Sequence, residues 1–430
     1  MMFRTIGFAL AGICACLVGT ASGEIYFVAQ EESEPSPSDV IVADGDGVQQ
    51  GGPATQKAWS CDAGCGGKTV CSAGCTCDWD CPWRLFPETY GGINIGGWVQ
   101  MGYHTQGANG QGVAFSWNFP AGNAKVGPFN NYPNVVQLQQ AWAYAEKVAD
   151  TGGWGWDWGF RVDYVYGTDG QDIQAYGSQP GNWDTTWDAG RFYGHALPQL
   201  YAEVAYNNVK VRAGKFFKIV GYEKAQAPEN FFYSHSYSFL LSPYTHTGVV
   251  AEWSPRDNLT VVGGWTAGWD TGFDQNGGDM FLGGILFQLS DAVHVAYTTM
   301  MGDFGFLVPA PGSDSDAYFH GVVLDVQLTD RLEYVLQTNY MENPLLAPYG
   351  PILTINQYAF YTLNCRWAVG GRFEWYHGDT SRNELSNFTV GANYRPGANV
   401  VIRPEVRIDV LNELGMQDST VFGIDAIVTF

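Results

Sequence analysis

Cys61, Cys65, Cys71, Cys75, Cys77 and Cys81 follow one another at spacings of four, six, four, two and four. Thiols at that density pair into disulfides or hold a soft metal as thiolates. In an exported chain oxidation is the expected course; bridging to another subunit or envelope protein, and a metal site, are the other readings. Once an N-terminal leader carrying Cys14 and Cys16 is removed, Cys365 makes the cysteine count odd, so one is expected to lack a partner within the chain.

Charged groups form a second set. In 159–166, Arg161 and Asp163 alternate with Phe160, Val162, Tyr164 and Tyr166. In 209–213, Lys210 and Arg212 alternate with Val209, Val211 and Ala213; in 400–410, Arg403, Glu405, Arg407 and Asp409 oppose Val400, Ile402, Val406, Ile408 and Val410. A period of two belongs to a strand with one apolar and one polar face. The same phase adds Glu203, Glu252, Asp325, Glu333, Arg372, Glu374 and Asp425 to the polar face, giving six positive groups against nine negative. Such a wall attracts water and ions, and it is the expected lining of a pore.

Hydrolytic chemistry is the weaker reading. His235 beside Ser234, and His246, invite a triad, but spacing assigns no Ser-His-Asp constellation. His104, His195 and His377 read as loop or girdle residues. No enzyme activity, cofactor or metal is expected.

The elements that must position these groups are short strands near 92–104, 135–149, 154–167, 197–207, 208–217, 245–254, 258–269, 278–290, 292–302, 317–329, 331–341, 355–365, 366–377, 386–395, 399–411 and 419–430. Segments 112–122 and 232–241 could hide others, so the count is about sixteen, within 14–18. Alternation alone also fits a soluble half-buried sheet. The connections discriminate, because they alternate between short turns such as Asn207-Asn208 and Ser290-Asp291 and longer loops such as 168–196 and 218–244. That order, with an even strand number, is expected of a transmembrane antiparallel β-barrel. Pro404 inside a strand removes one ladder hydrogen bond, and a bulge is the expected repair.

Composition agrees. The chain has 430 residues with 15% charged, 15% aromatic and 55 glycines, which suits a lipid-facing surface with aromatic belts. Trp98, Trp142, Trp158, Trp253, Trp265, Trp367 and Trp375 fall where girdles are expected. A net charge of −22 argues against nucleic-acid binding. With the wall mixed in sign, most of the negative charge belongs to loops and the N-terminal part, where it would favour cations mildly. Arg4, the apolar run from Ile6 to Val18 and the small residues up to Gly23 read as a secretory signal, too short for a spanning helix. The expected organisation is a signal peptide at 1–23, an acidic Gly/Pro linker at 24–60, a cysteine-rich periplasmic segment at 61–90 and a barrel at 91–430.

Gly214-Lys215-Phe216, followed by Gly221-Tyr222-Glu223, then Asn230-Phe231-Phe232-Tyr233-Ser234 and Thr247-Gly248, resembles the signature region of the OmpL-like β-barrel porins. The similarity runs from about Gly91 to Phe430 and leaves the cysteine-rich part outside. It implies an outer-membrane channel and supplies no substrate.

The expectation is therefore an outer-membrane porin for passive diffusion of small hydrophilic solutes. Its alternative is a structural barrel anchoring a disulfide-linked envelope scaffold. Loop 218–244 is the expected constriction, through Lys218, Tyr222, Glu223, Lys224, Glu229 and Asn230. Outer-membrane lipid, the barrel-assembly machinery and two further copies in a homotrimer are the expected partners. Phe430, ending an amphipathic strand, is the expected assembly signal.

Overall fold

Segments of period two bury their polar face only if they pair edge to edge and close into a ring. The computed structural model describes residues 61–62, 69–71, 76–77, 82–86, 91–107, 129–130, 132–175, 184, 192–240, 242–273, 277–305, 316–343, 351–378, 384–410 and 418–430. Three short strands, β1 (Cys61–Asp62), β2 (Thr69–Cys71) and β3 (Thr76–Cys77), make a small antiparallel sheet. Sixteen further strands form the ring: β4 (Asn94–His104), β5 (Gln137–Lys147), β6 (Trp156–Gly167), β7 (Gly194–Tyr206), β8 (Val209–Phe217), β9 (Thr245–Arg256), β10 (Leu259–Thr266), β11 (Asp279–Ser290), β12 (Val293–Asp303), β13 (Asp316–Thr329), β14 (Leu332–Glu342), β15 (Ile352–Asn364), β16 (Trp367–Gly378), β17 (Glu384–Gly397), β18 (Val400–Val410) and β19 (Ser419–Thr429).

Each strand pairs antiparallel with its sequence neighbours, and β19 pairs with β4 from Gly423↔His104 to Thr429↔Trp98, so the barrel is closed. The seam ends on a reciprocal backbone pair: Gly97 N–H donates to the Phe430 carbonyl at 3.0 Å, and Phe430 N–H donates back at 2.9 Å. Short turns lie at the end of the barrel where β4 begins and β19 finishes. No helix among the described residues is long and apolar enough to cross a membrane.

The two faces separate as the alternation requires. On β18, Val401, Arg403, Glu405, Arg407 and Asp409 are buried, while Ile408 and Val410 are exposed on the outside. Trp158, Trp253, Trp265 and Trp367 are exposed on the outer surface, as a girdle needs. Trp98 and Trp142 are not girdle residues. They face inward, stacked at 4.7 Å, because their indole N–H groups reach buried acceptors on Gln140 at 2.9 Å and Asp163 at 2.8 Å.

Two further expectations change. The described residues of segment 232–241 hold no strand; they contain a helical turn, Tyr237–Leu240. Pro404 carries no bulge either. It pairs with Ile424 on β19, and towards β17 the register is the same before and after it, Gly391↔Glu405 and Tyr394↔Ile402. The ladder loses the bond that proline cannot donate and keeps its register. The leader, the linker, segment 112–122, and Cys65, Cys75 and Cys81 lie outside the described residues. Cys61, Cys71 and Cys77 are described only as strand positions.

Candidate functional site

The interior of the barrel is occupied by the connection between β8 and β9, residues 218–244. Its residues Ile219, Val220, Tyr222, Phe231, Phe232, Tyr233, Tyr237 and Phe239 are buried against inward side chains of the wall. The inward positions of β16 and β18 hold its backbone. Glu374 accepts from Tyr237 N–H at 2.7 Å and Ser238 N–H at 2.6 Å, and Glu405 accepts from Tyr233 N–H at 2.8 Å and Ser234 N–H at 3.1 Å. Three arginines hold its carbonyls: Arg372 donates to Ser234 at 2.7 Å, Arg403 to Ala227 at 2.9 Å and Asn230 at 2.7 Å, and Arg407 to His235 at 2.5 Å. Charge-assisted bonds of this kind are roughly twice as strong as neutral ones, so the loop is fastened rather than resting.

Each charged group assigned inward from the sequence has a definite place. Asp425 pairs with Arg403, with bonds of 2.9 and 2.5 Å, and Asp409 with Arg407 at 2.9 Å. Across β5 to β9 runs a second ladder: Arg161 with Glu146 and Asp163, each at 2.7 Å, then Arg212 with Glu203 at 3.1 Å and Glu252 at 3.5 Å, and Lys210 with Glu203 at 3.6 Å. On β13 and β14, Asp325 and Glu333 are buried, and the Tyr222 hydroxyl points to Glu333 at 3.5 Å. The wall of β16, β18 and β19 thus faces loop, while β5 to β9 carry charges paired among themselves.

The six loop residues picked out from the sequence divide by role. Glu223 is the hub: it accepts from Arg372 at 2.9 Å, Tyr358 at 3.1 Å and Ser236 N–H at 2.8 Å, and meets His235 Nδ1 at 3.3 Å. Burial works to raise its pKa, but Arg372 and then His235 outweigh it and hold the carboxyl well below the usual range. Tyr222 N–H donates to Gln337 at 3.0 Å. Lys218 donates to Ser242 at 2.6 Å and lies 4.2 Å over the Phe239 ring; burial, then repulsion from Lys224, bring its amine down to about 7. Burial likewise lowers Lys224, to about 8, with Glu229 as a partial counterweight. Asn230 staples the loop to itself, donating to the carbonyls of Lys224 and Gln226 at 2.8 Å each.

Ser234 and His235 do not form a nucleophile–base pair. Ser234 Oγ accepts from Arg372 at 3.1 Å, while the His235 ring faces Glu223 and stacks on Phe239 at 4.0 Å. His246 is inward on β9 and buried. His104 is buried beside Tyr233, whereas His195 and His377 pair with Tyr164 and Glu384.

Residues that sequence reasoning did not single out complete the seat. A one-residue shift between β4 and β5, from Gln100↔Gln140 to Met101↔Leu138, makes Gln139 an extra residue and leaves both Gln139 and Gln140 buried inside. Gln139 donates to the Tyr233 hydroxyl, and Gln140 binds the Ala225 carbonyl at 2.9 Å and Ala227 N–H at 3.1 Å. Glycines make the rest. A Cβ on Gly370 would stand 2.6 Å from Phe231, on Gly391 3.3 Å from Phe232, and on Gly423 2.8 Å from Tyr233. Three successive aromatic rings therefore sit on three inward glycines. Asn-Phe-x-x-Ser in the loop was the available signal, but nothing in sequence tied it to glycines far downstream.

A closed ring of antiparallel strands with short turns at one end, an apolar exterior and a charged interior defines the porin class of outer-membrane β-barrels. Residues 92–430 match the family described as putative beta-barrel porin-2, OmpL-like, and the chain belongs to that family. Among solved structures it is similar to the outer membrane channel DcaP of Acinetobacter baumannii, with 10% identity, 81% of this chain and 100% of that chain covered, and a TM-score of 0.49. It is also similar to a triple mutant of Rhodopseudomonas blastica porin, with 15% identity, 79% and 100% covered, and a TM-score of 0.45. No curated protein sequence matches the chain.

Proposed function

We propose that this porin passes small hydrophilic solutes by diffusion, through the part of its lumen that loop 218–244 leaves free. The observation that carries the reading is the loop inside the ring: fixed by Arg372, Glu374, Arg403, Glu405 and Arg407, it sets the width of any path as a constriction does. A barrel of this strand number is too wide for its own side chains to fill, so a fixed internal segment has room to regulate it.

The ion pairs along the inner wall largely cancel one another, so the reading places a mild cation preference at the loop-borne vestibule, where the acidic excess of the chain acts. A homotrimer, inserted by the barrel-assembly machinery with the N-terminal segment in the periplasm, belongs to the same reading. Purified protein in planar bilayers should give discrete conductance steps and a reversal potential favouring K⁺ over Cl⁻ in a salt gradient. Absence of steps, together with absence of liposome swelling by small sugars, would overturn it; steps with no cation bias would remove only the selectivity. Native mass spectrometry in detergent reads the trimer directly.

A further inference from the structure

A groove of about 580 Å³ crosses the outer face of the barrel from β14 to β19, lined almost wholly by apolar atoms. Its floor is low because Ala359, Gly371, Ala392 and Pro404 are outward positions with short side chains or none, while Leu332 and Phe422 stand at its two ends. The floor follows one row of the ladder, Ala359↔Gly371↔Val390↔Val406↔Phe422, so the groove runs across the strands. On the inner side of the same wall, Phe231 and Phe232 rest on Gly370 and Gly391. The barrel here is little thicker than its backbone.

Because barrel strands are tilted, a groove that crosses them also climbs. Leu332 is the first residue of β14, directly above a short turn, whereas Phe422 stands seven residues from Thr429, the last of β19. Seven residues are roughly 23 Å of strand, or about 16 Å of height at a tilt of about 45°, close to half the roughly 30 Å hydrocarbon core. The groove therefore opens at the end with the short turns, the periplasmic end in barrels of this kind, and rises to the middle of the bilayer.

The low end is basic. Arg331 directly precedes Leu332, and Arg366 lies in the next short turn along the rim. Both are exposed, and neither guanidinium has an ion pair among the described residues. Thr362 N–H donates to the Arg331 carbonyl at 2.9 Å and Arg395 N–H to the Arg366 carbonyl at 2.8 Å, which ties the two turns to the strands of the groove. Asp330 is the one carboxylate in either turn. In a chain with 43 acidic residues against 21 basic, a positive excess on two neighbouring turns is a specific complement to an anion.

We propose that the groove holds a glycerophospholipid of the periplasmic leaflet, with one acyl chain along Ala359, Gly371, Ala392 and Pro404 and its phosphodiester at Arg331 and Arg366. Arginine suits phosphate because its planar fork donates two parallel bonds. A single acyl chain fills a narrow recess, whereas the convex wall of a second barrel bridges it and forfeits the contacts of the floor. The inference needs the barrel in a bilayer and not the diffusion reading.

The test is native mass spectrometry of the full mature protein in mild detergent, titrated with dioleoyl phosphatidylglycerol. One lipid per barrel should survive the activation that strips the rest. Its affinity should fall about thirtyfold in the double variant Arg331→Gln with Arg366→Gln, roughly fivefold for each arginine. Gly371→Leu, which fills the floor from outside, should abolish retention while the barrel stays heat-modifiable. Dioleoylglycerol, with the same chains and no phosphate, should bind wild type no better than the double variant. Loss of all lipids together, equal affinity in the double variant, or undiminished retention by Gly371→Leu overturns the proposal. Conversion of an oligomer to monomers by Gly371→Leu with the lipid still bound would give the groove to a second copy. Conductance read on the same preparations separates the two readings, since a barrel without steps that keeps its lipid sinks diffusion and supports the groove.

Discussion

Phe231 occupies the place where Gly370 carries no side chain: a Cβ on that glycine would stand 2.6 Å from the phenylalanine ring and 2.9 Å from Phe360. Gly370→Leu should therefore unseat the loop, at a local cost of about 1–3 kcal/mol for overpacking. Amide exchange at Phe231 to Phe239 should speed up and the conductance step should grow. Gly371→Ala, whose Cβ would meet nothing nearer than 4.0 Å, is the control and should leave both unchanged.

Arg372 compensates the buried Glu223 carboxylate and holds the Ser234 carbonyl as well. Arg372→Ala leaves that charge without its strongest partner, which typically costs about 3–5 kcal/mol. Removing the charge at the same time, in Arg372→Ala with Glu223→Gln, should restore part of the loss. A double-mutant cycle on loop exchange rates measures the coupling, and strict additivity would mean that the pair does not seat the loop.

Seating of the loop should strengthen with pH across the neutral to alkaline range. In a displaced loop Lys218 keeps its proton up to the ordinary lysine value of 10.5, whereas in the seated loop burial and then Lys224 bring it to about 7. Between those values the displaced loop binds more protons, so raising pH favours the seated one. Lys218→Met should lessen the gain in exchange protection between pH 7 and 10 after correction for intrinsic rates, leaving the share that Lys224, lowered to about 8 in the seated loop, contributes. Glu223 acts at the other end: its pKa is depressed in the seated state, so its contribution is complete above the ordinary value of 4.5 and is lost as acid titrates it.

Deleting Phe430 removes both backbone bonds to Gly97 and the ring under Trp83. The expected product is exported and poorly inserted, seen as a loss of the heat-modifiable folded band in membrane fractions. Normal insertion of the deletion would remove Phe430 from assembly.

The ring was legible because its signal is local. Since strand phase and turn chemistry are written in neighbouring positions, alternation in 400–410 and the Asn207-Asn208 turn foretold β18 and the turn end of the β7–β8 hairpin within a residue, while β7 begins three residues earlier than expected. The inward side of Arg403, Glu405 and Arg407 followed from the same phase. What they face did not follow, because a loop can be satisfied by water as readily as by a wall. Gln139 was hidden for a different reason: a bulge shifts phase by one residue without a mark in composition. Trp98 and Trp142 were misplaced because an indole suits a lipid interface and a buried polar network equally well until the partner of its N–H is known.

A hollow cylinder one strand thick resists stretching along its ladders but ovalises readily when squeezed from the side. Loop 218–244 is bonded to β5 through Gln140, to β14 through Gln337 and to β16 and β18 through their arginines and glutamates. Those attachments lie on different sides of the ring, so the loop works as a cross-brace. Lateral pressure from the surrounding bilayer then meets a spoked wheel instead of an empty hoop, and the cross-section keeps its shape however the lipid packs around it.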